Sequence, residues 1–262
     1  MVACGATSEE TLVAKLFADQ SVIADGTEQR TMWALRDANG LLGELSPDSI
    51  TYQVLQNDGT VVAEGRAERR SDGVASPFYV ITLGFKDLEV HEFRIDAGQR
   101  GRHVGFCLPS DPATSSLLGP GDPFPAIVTP TFANDAGVSP ICTRAEPCPF
   151  HELSLDESLA SDQATLLMVS TPAFCATATM CGPVLEVLVD EVSRLPAGLD
   201  VIHAEVYATP RPDELGPVTP VVTAAGVTYE PFVFLLDPTG RVVQRLDHIW
   251  DRPDLREMIA RV

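Results

Sequence analysis

From Arg30 to Leu108 the chain alternates apolar and polar residues in short runs. The runs RTMWALRD (30–37), SITYQVLQ (49–56), VVAEGRAE (61–68), PFYVITLGF (77–85), HEFRIDA (91–97) and RHVGFCL (102–108) each predict a strand. Asn39-Gly40, Asn57-Asp58-Gly59 and Ser71-Asp72-Gly73 supply turns between them. Short strands at this spacing predict an antiparallel β-sandwich of immunoglobulin-like type over residues 21–112, with Trp33 as its core aromatic. No residue pattern in this stretch carries chemistry, so its expected role is that of a spacer or docking surface.

A Pro-, Gly- and Ser-rich stretch, SDPATSSLLGPGDPFPAIVTP (110–130), breaks the alternation and places a linker at 113–122. The pattern then changes. SLDESLAS (154–161) predicts a short helix capped by Ser154, with Glu157 as its capping-box partner. ATLLMVS (164–170) is a continuous apolar run, as in a strand buried on both faces. PVLEVLVDEVSRL (183–195) places Val184, Leu185, Leu188, Val192 and Leu195 on one helical stripe. DVIHAEVYA (200–208) predicts a strand, VTPVVTAAG (218–226) a helix stopped by Gly226, and RPDLREMIARV (252–262) a last helix. PFVFLLD and RVVQRLD (231–237 and 241–247) predict a hairpin. The order β-α-β-α-β-β-α predicts a mixed sheet with helices on both faces.

Charge narrows the partners. A net charge of −19 argues against nucleic acid, whose phosphates require Lys and Arg. No run reaches the roughly 20 apolar residues of a membrane helix. Met1-Val2-Ala3-Cys4-Gly5 is similar to the end of a bacterial lipoprotein signal. On that reading Cys4 is lipidated, residues 1–20 are a tether, and the protein sits on the outer face of the cell membrane.

Six cysteines remain to be assigned. Cys142 and Cys148 share one spacing with Cys175 and Cys181, five residues between each pair. Local pairs suit an oxidising compartment. Cys142 and Cys148 are expected to close a small structural disulfide. Zinc competes for these four cysteines, but structural sites usually space ligands by about two to four residues. No metal site and no cofactor is therefore expected. Cys107 is expected as a buried, inert thiol, and His103 and His151 as surface residues. His203 and Glu205 share a face of their strand, either as proton carrier or as a satisfied structural pair.

Residues 121–262 resemble the thioredoxin superfamily, especially its extracytoplasmic members. The resemblance rests on Gly121-Asp122-Pro123, on LLMVSTPAFC, on Pro183 eight residues after Cys175, and on Tyr229-Glu230-Pro231-Phe232 followed by FLLDPTGRVV. It implies a thioredoxin-like α/β domain over 123–262. It also implies that Cys175 stands at the nucleophile's place, that Glu230-Pro231 is a cis-proline turn, and that Phe174, Glu230 and Pro231 contact substrate. The sequence departs from the family at Ala178, where the second cysteine is expected, and at Val169, where a buried acid is expected. Cys181 would then serve as the resolving cysteine. The implied activity is thiol–disulfide exchange with thiols or disulfides of exported proteins. The alternative is a non-catalytic binding or scaffold protein with a structural disulfide. A copper chaperone using Cys175, Cys181 and His248, and a peroxiredoxin-like peroxidase, are weaker readings.

Overall fold

The computed structural model describes residues 12–17, 21–174, 180–211 and 214–262. Eight strands form its first sheet: β1 (Leu12–Phe17), β2 (Glu28–Asp37), β3 (Gly40–Leu41), β4 (Ser49–Leu55), β5 (Val61–Arg70), β6 (Phe78–Gly84), β7 (His91–Asp96) and β8 (Arg102–Cys107). Six of them lie where the alternation placed them. They do not divide into the two sheets of a sandwich. β1 pairs antiparallel with β2 and parallel with β8, so the order β1-β8-β7-β4-β5-β6-β2 returns on itself. The result is a closed barrel of seven strands, with β3 appended to β2.

This corrects the immunoglobulin-like expectation, and residues 12–17 are a closing strand, not part of a tether. Closure leaves neither β1 nor β8 as an open edge, which an unclosed sheet would have to shield. The strand LVAKLF is short, and only the small Ala14 reaches the barrel core fully buried. Its alternation is therefore too weak to announce it.

Trp33 fills the barrel interior as expected, fully buried, with its ring centroid 4.3 Å from that of Phe93. Its indole N–H donates to Thr31 Oγ1 at 2.8 Å. Gly105 makes room for it: a Cβ there would meet Trp33 Cζ3 at 2.3 Å and the Ala14 carbonyl oxygen at 2.5 Å. On β2, Trp33 and Leu35 point into the barrel while Met32 and Ala34 point out. The outward residues join a second core shared with the rest of the chain.

That remainder holds α1 (Leu155–Leu159), β9 (Ala164–Val169), α2 (Cys181–Glu191), β10 (Leu199–Ala204), α3 (Pro220–Ala225), β11 (Phe232–Leu236), β12 (Val242–Asp247) and α4 (Arg252–Ile259). The strands form a four-stranded sheet, β10-β9-β11-β12, with β9 parallel to β10 and antiparallel to β11. β9 and β11 are buried along their whole length, which explains their unbroken apolar runs. The local signals hold too. The Ser154 N–H donates to Glu157 Oε2 at 3.1 Å, and Gly226 ends α3 at φ 67°. The Glu230-Pro231 peptide is cis.

The chain as a whole is nevertheless a barrel-dominated fold. Its four described α-helices run only five, eleven, six and eight residues. The expected thioredoxin-like α/β domain, and the family membership built on it, are corrected accordingly. Part of the reason lies in the packing. One face of the small sheet shares its core with Met32, Ala34 and Phe78 of the barrel wall, alongside Val184 and Leu188 of α2 and Leu255 and Met258 of α4. The barrel supplies cover that longer helices would otherwise provide.

Charges reinforce this junction. Arg30 and Arg70, from β2 and β5, reach Asp254 of α4 at 2.8 and 2.6 Å. Glu191, at the end of α2, accepts from Arg252 at 2.7 Å and from Arg256 at 2.8 Å. The Arg256 guanidinium, with Arg252 behind it, draws the Glu191 carboxyl down from 4.5 to about 2. A carboxylate depressed on folding contributes stability that is complete above its unfolded pKa and fades as pH falls toward the folded one. The Glu191→Gln variant is therefore expected to be less stable than the parent at neutral pH. The difference should shrink from about pH 4.5 down to about pH 2, as read by denaturant midpoints across that range.

Candidate metal centre

Between Pro125 and Leu153 the chain has no helix or strand. It is tied instead to the edge of the small sheet. The His203 N–H of β10 donates to the Phe150 carbonyl at 2.9 Å, and the Ser139 N–H donates to the Ala208 carbonyl at 2.8 Å. The loop thereby covers an edge strand that would otherwise present unpaired backbone groups. It also carries Cys142, Cys148 and His151 to the face of β10 on which His203 lies.

These four side chains meet. Their ligand-type atoms lie within 4.8 Å of one another, and all four residues are buried. Cys142 Sγ is 4.0 Å from Cys148 Sγ and 3.8 Å from His203 Nδ1. Cys148 Sγ is 3.5 Å from His203 Nδ1, which is 3.3 Å from His151 Nε2. A tetrahedral zinc ion has Zn–S near 2.3 Å and Zn–N near 2.0–2.1 Å, which gives edges of about 3.8 Å (S–S), 3.5 Å (S–N) and 3.3 Å (N–N). The four measured edges fall within about 0.3 Å of those values.

The outer contacts aim the rings. His203 Nε2 faces the Ser170 carbonyl oxygen at 3.2 Å and Ser170 Oγ at 3.1 Å. His151 Nδ1 faces the Pro130 carbonyl oxygen at 3.4 Å. A carbonyl can only accept, so each of these nitrogens carries the proton. The lone pairs of His203 Nδ1 and His151 Nε2 then point at the centre, the arrangement that orients histidine ligands in metal sites. Burial pushes the His203 imidazole pKa down, favouring the neutral form that ligates. The Cys142 thiol is pushed down, first by the hydrogen bond from Cys148 and further by His151 and His203; the donating Cys148 is pushed up. The variant Ser170→Ala removes one of two oxygens facing His203 Nε2. About a tenfold loss of zinc affinity is expected in a competition titration, at the small end of the effects such supporting residues have.

Glu205 is fully buried beside this group. It accepts from the Thr143 N–H and from Thr143 Oγ1, so it fixes the residue after Cys142. Burial pushes its carboxyl up to about 8. His203 and Glu205 have different hydrogen-bond partners: His203 meets Cys142, Cys148, His151 and Ser170, and Glu205 meets Thr143.

Several expectations need correction. Cys142 and Cys148 are free thiols in this structure, their sulfurs 4.0 Å apart and beyond bonding distance. His151 is fully buried instead of lying at the surface, and so is His103, between the carbonyls of Val13 and Arg100 at 3.3 Å each. Where no metal site was expected, these four residues form a cluster that could hold an ion. Cys107 is buried, as expected.

Cys4 and Cys175 lie outside the described residues. Cys181 is disulfide-bonded and fully buried at the start of α2. Phe174 is half-buried in a turn, and Pro231 is buried. Glu230 accepts from the Thr171 N–H at 3.0 Å, and burial pushes its carboxyl up to about 7. His248, at φ 63°, packs its ring 5.4 Å from Phe17 and does not belong to the cluster.

The signal that could have found the centre is Cys148-Pro149-Phe150-His151, a Cys and a His at ligand spacing. Spacing between cysteines alone does not show it. No family model matches the chain, and no match was found among the curated proteins.

Proposed function

We propose that the protein is a zinc-binding, non-catalytic binding or scaffold protein, in which Cys142, Cys148, His151 and His203 hold one Zn²⁺. The observation that carries this is the meeting of four buried ligand atoms of the right chemistry within 4.8 Å, with four of their six separations close to the edges of a zinc tetrahedron. Two thiolates and two imidazoles suit zinc, a borderline-soft ion with no geometric demand of its own. Four protein ligands fill a tetrahedron, so no position is left for a water nucleophile. The centre therefore clamps the 125–153 loop to β10 and does not hydrolyse substrates.

Metal analysis of protein purified with zinc tests this. One zinc per chain is expected, falling to a trace in Cys142→Ser/Cys148→Ser. Equal zinc in both would overturn the assignment.

Thiol–disulfide exchange through Cys175 and Cys181 is the second reading, supported by the disulfide at Cys181. Its burial weighs against attack by a substrate thiol. Insulin-reduction activity lost in Cys181→Ser would support exchange, and no activity in the parent would end it. That disulfide also suits a location outside the reducing cytoplasm.

A further inference from the structure

We infer that Cys142 and Cys148 are a modification site with two exclusive states: both thiolates on zinc, or one disulfide without it. This inference rests on the zinc reading. Three observations carry it. The two sulfurs are 4.0 Å apart, so an approach of about 2 Å reaches the S–S bond length. They lie in a loop with no helix or strand, where no regular ladder of hydrogen bonds must break for that approach. The same chain holds a disulfide at Cys181, whereas the Cys142 and Cys148 sulfurs are not bonded to each other.

The step balances with a hydroperoxide as oxidant. The two zinc-bound thiolates lose two electrons and form one S–S bond. Hydrogen peroxide takes those electrons and two protons, its O–O bond breaks, and two waters form. Zinc leaves as Zn²⁺, because His151 and His203 alone supply only half its ligands. Reduction by a dithiol restores both sulfurs and the site. With zinc bound, the lone pairs of both sulfurs are engaged by the ion, so the loaded centre reacts more slowly than the emptied one.

The test uses the full chain in four samples: zinc-loaded, and stripped by a chelator, each with and without hydrogen peroxide. Thiols are counted after denaturation and peptides mapped by mass. The stripped, oxidised sample is expected to lose two thiols and the mass of two hydrogens from a Cys142–Cys148 cross-link. It should then take up no zinc until a dithiol is added. The loaded sample should oxidise at least tenfold more slowly and release one zinc per disulfide formed. Full zinc uptake by the cross-linked protein, or oxygen added to the sulfurs in place of a cross-link, overturns the two-state site and leaves the zinc assignment standing. A reduced, stripped sample that binds no zinc overturns both.

Discussion

Stripping zinc from the loaded protein is expected to lower its thermal midpoint by about 10 °C or more, and restoring zinc should reverse the loss. An ion that binds only the folded chain stabilises it by about 4 kcal/mol when present at a thousand times its dissociation constant. For a chain of this size each kcal/mol moves the midpoint by roughly 2–4 °C. The mechanism is local. Residues 125–153 have no ladder of their own, and few backbone contacts, such as His203 to Phe150, hold them to β10. Emptying the centre leaves two thiols and two imidazoles buried together without the ion that neutralises the thiolates. The double variant Cys142→Ser/Cys148→Ser should start lower and not respond to chelator. Scanning calorimetry with and without chelator reads both. An unchanged midpoint in the loaded parent would mean that the loop holds itself.

The second large effect lies in the barrel. Trp33→Ala is expected to cost about 3–5 kcal/mol, the range for truncating a buried large aromatic. The ring lies against Phe93 and above Gly105, whose missing side chain leaves the space it fills. Nothing near it is free to collapse inward, because strands on every side close the barrel. Truncation also leaves Thr31 Oγ1 without the indole donor. Denaturant unfolding measures the loss. A cost under about 1 kcal/mol would mean the interior repacks and the closed wall is softer than its pairing indicates.

Strand positions were legible in the sequence because alternation is a local property. The runs around Trp33, Val54, Ile81 and Ile95 each announced a strand with one buried face. How those strands close was not legible. Closure depends on β1, a six-residue strand with one small buried residue facing inward, and on its pairing with β8 some ninety residues away. The same distinction governs the small sheet. Its strands, caps and the Gly226 stop could be read from the chain. That a barrel wall covers one of its faces could not, because the contact joins residues far apart in the chain, such as Met32 and Phe78 with Val184 and Leu255.

The candidate centre follows this rule as well. Cys142 and Cys148 were seen as a pair because their spacing is local, and His151 sits three residues further on. His203 joins them only because β10 runs along the loop, 52 residues beyond His151 in the chain. Nothing in HAE (203–205) distinguishes a ligand from a satisfied core histidine. The alternation of its strand fixes the face on which it lies but not what meets it there.

X-ray absorption at the zinc edge tests the central claim most directly, on the loaded full-length chain. A first shell of two sulfurs near 2.3 Å and two nitrogens near 2.0–2.1 Å is expected, with the ring scattering of two imidazoles behind it. A shell of oxygen and nitrogen alone, without sulfur, would contradict the centre built from Cys142, Cys148, His151 and His203.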